Sequence, residues 1–396
     1  MEILYRQSDI VVNDVSTKFV RNLYQEINWD ERLIGIKGAR GVGKSTLLKQ
    51  RIKLAFLEKD KALYVSLDDI WFAEHNLKDL AFKATDAGVT HLFLDEVHKY
   101  PDWQRQIKNL YDFFPNLNIV FTGSSLLKID NNIGDLSRRL ALYNLSGLSF
   151  REYMGFEDVM LPLLSLEDIL RNHVEIASTL TADFDVLKNF KKYLRRGFYP
   201  FYLTSNESSY FSKIRSVIST VIENDLPSVE NIEYETQIKT KMLVSRMAAE
   251  TPSPLNVNQL SKIMGISRNQ LIRLLVMLEK AQILRLLYYK TVQNPRALVK
   301  PNKVLMDNAG LLYALGKPDT GKIRETFLAS MLSQICEIGY PDRGDLMVDN
   351  FYIFEVGGAG KKFDQIKDIP SSYIASDDIT VGFGNKIPLW IFGLLY

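Results

Sequence analysis

The chain has 396 residues, more than one hydrophobic core usually serves, so we expect two or three domains. Its composition, 46% hydrophobic and 24% charged, is typical of globular proteins, and a net charge of +2 is too small to indicate nucleic-acid binding by itself. Cys336 is the single cysteine, which excludes a disulfide framework or a cysteine-based zinc site within the chain. Without an apolar run of ~18 residues or a signal-peptide pattern, we expect a cytoplasmic protein that does not enter a membrane.

The most specific motif follows a predicted helix at 17–29 and an apolar, strand-like run at 33–36. Residues 38–45 read GARGVGKS, which fits the Walker A pattern, and the run 45–53 predicts the helix that should follow it. Glycines let backbone N–H groups close around phosphates, and the helix N-terminus adds a positive dipole end. A glycine turn that precedes a lysine by chance is the alternative. The predicted phosphate-binding residues are Gly38, Arg40, Gly41, Val42, Gly43, Lys44, Ser45 and Thr46.

Three side chains of this loop have predicted roles with bound Mg-ATP. Lys44 would reach the β- and γ-phosphates, and the Ser45 hydroxyl would bind Mg²⁺. Arg40 either stabilises charge on the γ-phosphate or lies in solvent. The guanine-reading pattern Asn-Lys-x-Asp does not occur in the sequence, which favours ATP as the nucleotide.

A second strand is predicted at 62–67 and a third at 91–94, the latter followed by Asp95 and Glu96. Four mostly apolar residues before Asp-Glu are typical of a Walker B strand. Asp95 would hold Mg²⁺ through water, and Glu96 would act as the general base for the attacking water. A strand that ends in a polar turn is the alternative. His98 either senses this site, contacts a partner or caps a helix.

The next predicted strand, 118–121, ends in small polar residues. Ser124 is the first candidate for a side chain that senses the γ-phosphate, with Ser125 second and a simple turn as the alternative. Arg138 and Arg139 precede a strand at 140–145, where they could stabilise γ-phosphate charge in cis or in a neighbouring subunit, or form a surface pair. Alternating strands and helices predict a parallel sheet. The extra strand between the Walker A and Walker B strands indicates the AAA-like branch of P-loop proteins.

These residues resemble prokaryotic AAA-type ATPases with a C-terminal restriction-endonuclease-like domain. The matching segments are GARGVGKST, LFLDEVHKYPDW, FTGSS, the Arg-Arg pair, LSFREY, LRRGFYP and VLMDNAGL. The resemblance implies an α/β protein with an ATPase domain at 1–150, a helical domain at 151–250, a winged helix at 251–315 and a nuclease-like domain at 316–396.

The region 256–285 has helix-turn-helix spacing: an apolar helix face, a Gly-Ile-Ser turn and a second helix capped by Ser267. A strand at 283–289 would be the first side of a wing. The side chains that could contact DNA are Lys262, Arg268, Asn269, Arg273 and Lys280. The alternative is a protein-contact module.

In the tail, the order of Glu325, Asp345 and Glu355 is how restriction-type nucleases hold a metal. Gly357 stands where such enzymes carry a lysine. Lys361 or Lys362 could replace that lysine only if the loop folds back, so we expect an inactive domain.

Three functions remain. The first is an ATPase switch or motor, as a monomer or homo-oligomer, that acts on DNA or on a partner protein. The second is an ATP-gated, metal-dependent nuclease, against which Gly357 counts. The third is a scaffold that hydrolyses ATP slowly, against which the intact Asp95-Glu96 pair counts.

Overall fold

The computed structural model describes residues 1–57, 61–123, 138–182, 184–227, 232–289 and 301–396. Contacts within the chain divide it into two units, residues 1–146 and 147–396. None of the helices in these ranges is long and apolar enough to cross a membrane.

The first unit is built on a parallel sheet of five described strands in the order β2-β3-β4-β1-β5. These strands are β1 (Leu33–Lys37), β2 (Ala62–Ser66), β3 (His91–Asp95), β4 (Asn118–Gly123) and β5 (Ala141–Asn144). The connecting helices are α3 (Lys44–Ala55), α4 (Leu77–Asp86) and α5 (Trp103–Phe113). The carboxyl ends of parallel strands share one edge, so the segments after β1, β3 and β4 meet there. This is the expected P-loop fold.

The chain before β1 departs from the sequence prediction. Helix α1 (Glu2–Asp14), which was not predicted, packs against β2 and α3. Of the predicted helix at 17–29, only α2 (Leu23–Glu26) forms. The reason lies in α3, where the Gln50 amide donates to the carbonyls of Ser16 and Phe19 at 2.8 and 2.9 Å. These carbonyls therefore bond to a side chain instead of to helix amides.

At the free edge of the sheet, α1 contacts the outer strand β2 through a side chain. The Tyr64 N–H donates to Ser8 Oγ at 3.1 Å, and Ser8 is buried. Leu4, on the same face of α1, is also buried in the hydrophobic core of this unit.

The second unit begins with helices. They are α6 (Phe150–Phe156), α7 (Leu166–Leu180), α8 (Val186–Arg196), α9 (Glu207–Thr220) and α10 (Tyr234–Glu250). Next come β6 (Ser253–Pro254), α11 (Val257–Met264), α12 (Arg268–Lys280), β7 (Leu284–Leu287) and β8 (Lys303–Met306). Strands β6 and β7 both pair antiparallel with β8.

An α/β region ends the chain. Its elements are α13 (Ala309–Leu315), α14 (Thr320–Leu332), β9 (Ile338–Gly339), β10 (Leu346–Val348), β11 (Tyr352–Gly357), β12 (Ser372–Ser376) and β13 (Lys386–Pro388). The strands, all within the described residues, form a mixed sheet in the order β13-β12-β11-β10-β9. After β13, the helical turn Leu389–Leu394 is buried, so the apolar end of the sequence packs on this unit.

Candidate nucleotide-binding site

The phosphate-binding loop joins the end of β1 to the start of α3. Gly43 precedes α3 with φ 102°, a left-handed conformation that favours glycine. Gly38 makes room for the backbone after β5, because a Cβ there would lie 2.2 Å from the Leu145 carbonyl oxygen. The loop therefore fits closely between two strands and opens onto the N-terminus of α3. That placement suits an anion.

Lys44 begins α3 and is 5% exposed. Its ammonium donates to the carbonyl oxygens of Gly38 and Ala39, each at 2.8 Å. The lysine thus holds the loop around itself, and phosphate oxygens can replace these carbonyls as acceptors. Ser45 is half-buried and Thr46 is exposed in the same first turn.

Arg21 supports the loop from outside the motif. Its guanidinium donates to the Val42 carbonyl at 2.9 Å and to the Ser146 carbonyl at 2.8 Å. Arg21 is buried, so these are charge-assisted bonds away from solvent. The sequence analysis did not single out Arg21, because no local pattern connects it to the loop.

Asp95 ends β3 and is 3% exposed. One of its carboxylate oxygens accepts from the Tyr64 hydroxyl at 2.6 Å, and the other accepts from the Thr122 hydroxyl. Burial, followed by the charge of Asp95, raises the pKa of Tyr64, so its hydroxyl keeps the proton that it donates. Two neighbouring strands therefore orient the carboxylate predicted to hold the metal.

Thr122 is a residue of the site that the sequence analysis did not single out. Besides bonding to Asp95, its hydroxyl accepts from the backbone N–H of Glu96 at 3.2 Å. The available signal was its position as the first polar residue after the apolar run of β4. Ser124 and Ser125, the predicted sensors of the γ-phosphate, lie outside the described residues.

Glu96 follows β3 in a left-handed conformation with φ 55°, unusual for a residue with a side chain. Its carboxylate lies 4.0 Å from Arg40 Nη2 and 3.4 Å from His98 Nε2. The structure thus brings Arg40 of the phosphate loop next to the predicted general base. Strain at such a residue is common in functional sites.

The structure does not bring Arg138 and Arg139 to this site. Both precede β5, whereas the phosphate loop follows β1, and these strands run parallel in the register Ile34↔Ala141 to Lys37↔Asn144. The arginines therefore lie at the opposite edge of the sheet, ~20 Å from the loop at about 3.3 Å per residue. Arg139 Nε lies 3.2 Å from Asp112 Oδ1 there. Action in cis on the γ-phosphate does not fit this geometry.

The oxygen ligands available at the carboxyl edge suit Mg²⁺. A carboxylate at Asp95 and a hydroxyl at Ser45 are the hard donors that this ion takes alongside phosphate oxygens. The Asp95 carboxylate is already oriented by two hydroxyl donors, which supports a defined coordination position. ATP with Mg²⁺ therefore fits the residues present.

The second unit carries the exposed side chains predicted to contact DNA. The turn between α11 and α12 has Gly265 at φ 60°, and Ser267 caps α12 by accepting from the Gln270 N–H at 3.1 Å, as predicted. Four of the candidate side chains are exposed and Lys280 is half-exposed. The exposed ones are Lys262, Arg268, Asn269 and Arg273.

The tail loop does fold back. The side chain of Lys361 lies over Gly357, where a Cβ would meet it at 2.6 Å, and its ammonium pairs with the Glu355 carboxylate. Lys386 fixes the loop by donating to the carbonyls of Ala359 at 2.5 Å and of Lys361 at 3.1 Å. Lys361 thus occupies the space of the lysine that position 357 lacks.

The carboxylates of the tail, however, do not fit a metal as they are placed. Lys303 pairs with Glu325 and lies 3.8 Å from Asp345 Oδ1. Among the described residues no group of three or more His, Cys, Asp or Glu side chains is arranged to hold a metal ion. In the described part of the chain, lysines therefore face these carboxylates where a shared metal ion would have to lie.

Comparisons with known proteins agree with the fold of the first unit. A family model described as "AAA domain" matches residues 30–154, and one described as a domain of unknown function matches residues 187–321. An uncharacterized protein of Methanocaldococcus jannaschii, MJ1637, is 32% identical over 275 residues, which cover 66% of this chain and 58% of that protein. The chain thus spans just over half the length of this relative.

Two solved structures are similar to parts of this chain. AMPPCP-bound DnaA from Aquifex aeolicus is 16% identical, with 70% of this chain and 88% of that chain covered at a TM-score of 0.28. The Hsp104–ADP complex of S. cerevisiae is 14% identical, with 71% and 37% covered at a TM-score of 0.28. The family match and the phosphate loop on its parallel sheet identify residues 30–154 as an AAA-type P-loop domain.

Proposed function

We propose that this protein hydrolyses ATP and uses the cycle as a switch or motor. The observation that carries the proposal is the arrangement at the end of β3. There Asp95 is held by Tyr64 and Thr122, and Glu96 follows it, on the edge of the sheet that also carries the phosphate loop.

Each residue has a role in this scheme. Ser45 and Asp95 would hold Mg²⁺, which would supply charge neutralisation at the β- and γ-phosphates of ATP. Lys44 exchanges its loop carbonyls for phosphate oxygens. The Glu96 carboxylate takes a proton from the attacking water, and Thr122 fixes the backbone of Glu96 relative to Asp95.

The state of Glu96 in the structure supports a switch. Its carboxylate faces Arg40 and His98, both of which can hold it away from a water molecule. A γ-phosphate that attracts Arg40 would remove one of these two contacts and so favour release of the carboxylate for catalysis. Arg40 is thus the candidate for action within one chain, whereas Arg138 or Arg139 could act only on the nucleotide of a neighbouring copy in a homo-oligomer.

The substitution Glu96→Gln tests the proposal. It should keep ATP affinity and lower kcat by about 100-fold or more, in the range of general-base catalysis. Measurements are the release of phosphate and the binding of a fluorescent ATP analogue. Asp102→Asn is a matched control, because Asp102 is an exposed acid whose partner is Arg105. Wild-type turnover in Glu96→Gln would remove Glu96 from the base role.

For the target of the switch, DNA contact through α12 is our proposal, supported by the exposed Arg268, Asn269 and Arg273. The ATPase rate should rise with duplex, hairpin or single-stranded DNA, and Arg268→Ala with Arg273→Ala should reduce the rise. An ATPase rate that none of the three DNA forms changes would contradict DNA contact and favour a protein partner.

The nuclease alternative has one contact in its favour and one against it. Lys361 pairs with Glu355, as a substitute for the missing lysine would. Lys303, however, takes the position between Glu325 and Asp345 that a metal would need. We therefore propose the ATPase as the activity of this chain. Cleavage of plasmid DNA with Mg²⁺ or Mn²⁺ that is lost on Asp345→Ala would reverse this choice.

A further inference from the structure

Lys303 is a buried cation among carboxylates in the second unit. Its side chain is 7% exposed and its ammonium pairs with Glu325 Oε1 of α14. The same nitrogen lies 3.8 Å from Asp345 Oδ1 and 5.4 Å from the centre of the Tyr340 ring. Two carboxylates and the negative face of an aromatic ring thus surround one ammonium group.

Lysines offset most of the charge of the cluster. When ionised, Glu325, Asp345 and Glu355 supply three negative charges, and Lys303 and Lys361 supply two positive ones. Burying carboxylates without a counter-charge is costly, and in metal sites a divalent cation provides that charge. An ammonium and a metal cannot both contact the same oxygens of Glu325 and Asp345 at bonding distance. They therefore compete for one position.

The backbone fixes Lys303 in that position. It lies on the central strand β8, where it pairs with Pro254 of β6 on one side and with Leu287 of β7 on the other. Lys361, in contrast, lies on a loop and its side chain is 29% exposed. Lys303 can leave the carboxylates only by changing its own side-chain conformation inside a packed region. Of the two lysines, Lys303 is therefore the one that stays with the carboxylates.

We infer that Lys303 is a built-in counter-ion that occupies the cation position of this cluster and closes it to divalent metals. The structure assigns the oxygens of Glu325 and Asp345 to a latent metal site that becomes available when the ammonium is removed. This inference does not depend on the proposed ATPase activity.

The experiment measures Mn²⁺ binding to the full, nucleotide-free chain by calorimetry and by thermal unfolding. Lys303→Gln should bind one Mn²⁺ more than the wild type, at least about tenfold tighter at this cluster, and its Tm should rise with Mn²⁺. Adding Asp345→Asn should abolish that gain. Lys362→Gln is the matched control, since Lys362 is an exposed lysine of the loop that carries Lys361. This variant should bind no additional Mn²⁺.

Two results would overturn the inference. One is a folded Lys303→Gln variant that binds no more Mn²⁺ than the wild type. The other is Mn²⁺ binding by the wild type that is lost in Asp345→Asn, because the wild-type cluster should be closed. The comparison of the wild type with Asp345→Asn tests the inference even if Lys303→Gln does not fold. This comparison does not involve the ATPase site, because Asp345→Asn leaves Ser45 and Asp95 unchanged.

Discussion

Thr122→Val is the substitution that tests the geometry of the nucleotide site most directly. The change keeps the shape of the side chain and removes a hydroxyl that is fully buried. That hydroxyl donates to Asp95 and accepts from the Glu96 N–H at 3.2 Å. Its loss therefore loosens the metal-binding carboxylate and the general base together.

The expected size follows from the hydrogen bond to the charged carboxylate. Such a bond contributes about 1.5–3 kcal/mol. If it is needed in the transition state, its loss lowers kcat about tenfold to 150-fold, at about 1.4 kcal/mol per tenfold. Affinity for the nucleotide without metal should change little, because Lys44 and the loop amides remain.

The assay is steady-state ATP hydrolysis with Mg²⁺ varied, at temperatures where each variant is folded. Thr122→Ser, which keeps the hydroxyl, should recover most of the rate. Thr85→Val removes a hydroxyl that donates to Ala81 within α4 and serves as a control away from the site. If Thr122→Val hydrolyses ATP like the wild type at every Mg²⁺ concentration, the role given to Thr122 is wrong.

Three further outcomes are expected. Lys44→Ala should lose ATP affinity in a titration with a fluorescent analogue, and retained affinity would remove Lys44 from the phosphate site. Tyr64→Phe should raise the half-saturating Mg²⁺ concentration of the ATPase reaction about tenfold, because Asp95 loses a donor at 2.6 Å; an unchanged value would show that this bond does not orient the metal ligand. Burial raises the pKa of Glu325 from 4.5 to about 7. In the pH window between these two values, the folded state therefore keeps a proton that the unfolded state has already released. The free energy of unfolding should therefore fall as pH rises through the window, and urea unfolding of Glu325→Gln should show a flatter fall; an equal slope in both proteins would contradict the assignment.

The sequence predicted the parts of the site that are local. The phosphate loop and the Asp95-Glu96 pair are contiguous patterns, and the flanking strands and helix form close to where their apolar runs predict. Arg21 and Tyr64 could not be found in this way. Arg21 reaches Val42 across 21 positions and Tyr64 reaches Asp95 across 31, and only the folded sheet creates these contacts.

In the tail, too, the sequence did not predict contacts between residues that are far apart along the chain. The spacing of Glu325, Asp345 and Glu355 suggested a nuclease, and Gly357 suggested that its lysine was missing. The structure supplies a lysine from position 361 and a second, unexpected one from position 303. Spacing along a chain cannot say which cation reaches a carboxylate, since that depends on the pairing of strands and on the path of a loop.

The contact between Ser8 and Tyr64 bears on how the first unit can be handled. An outer strand offers unpaired backbone groups to which other chains can add, and α1 covers β2 here. A protein shortened to begin after Asp14 would expose this strand together with the core side chains beneath α1. We therefore expect the shortened protein to self-associate through intermolecular β-pairing, seen as concentration-dependent light scattering. This self-association would prevent a measurement of its ATP hydrolysis.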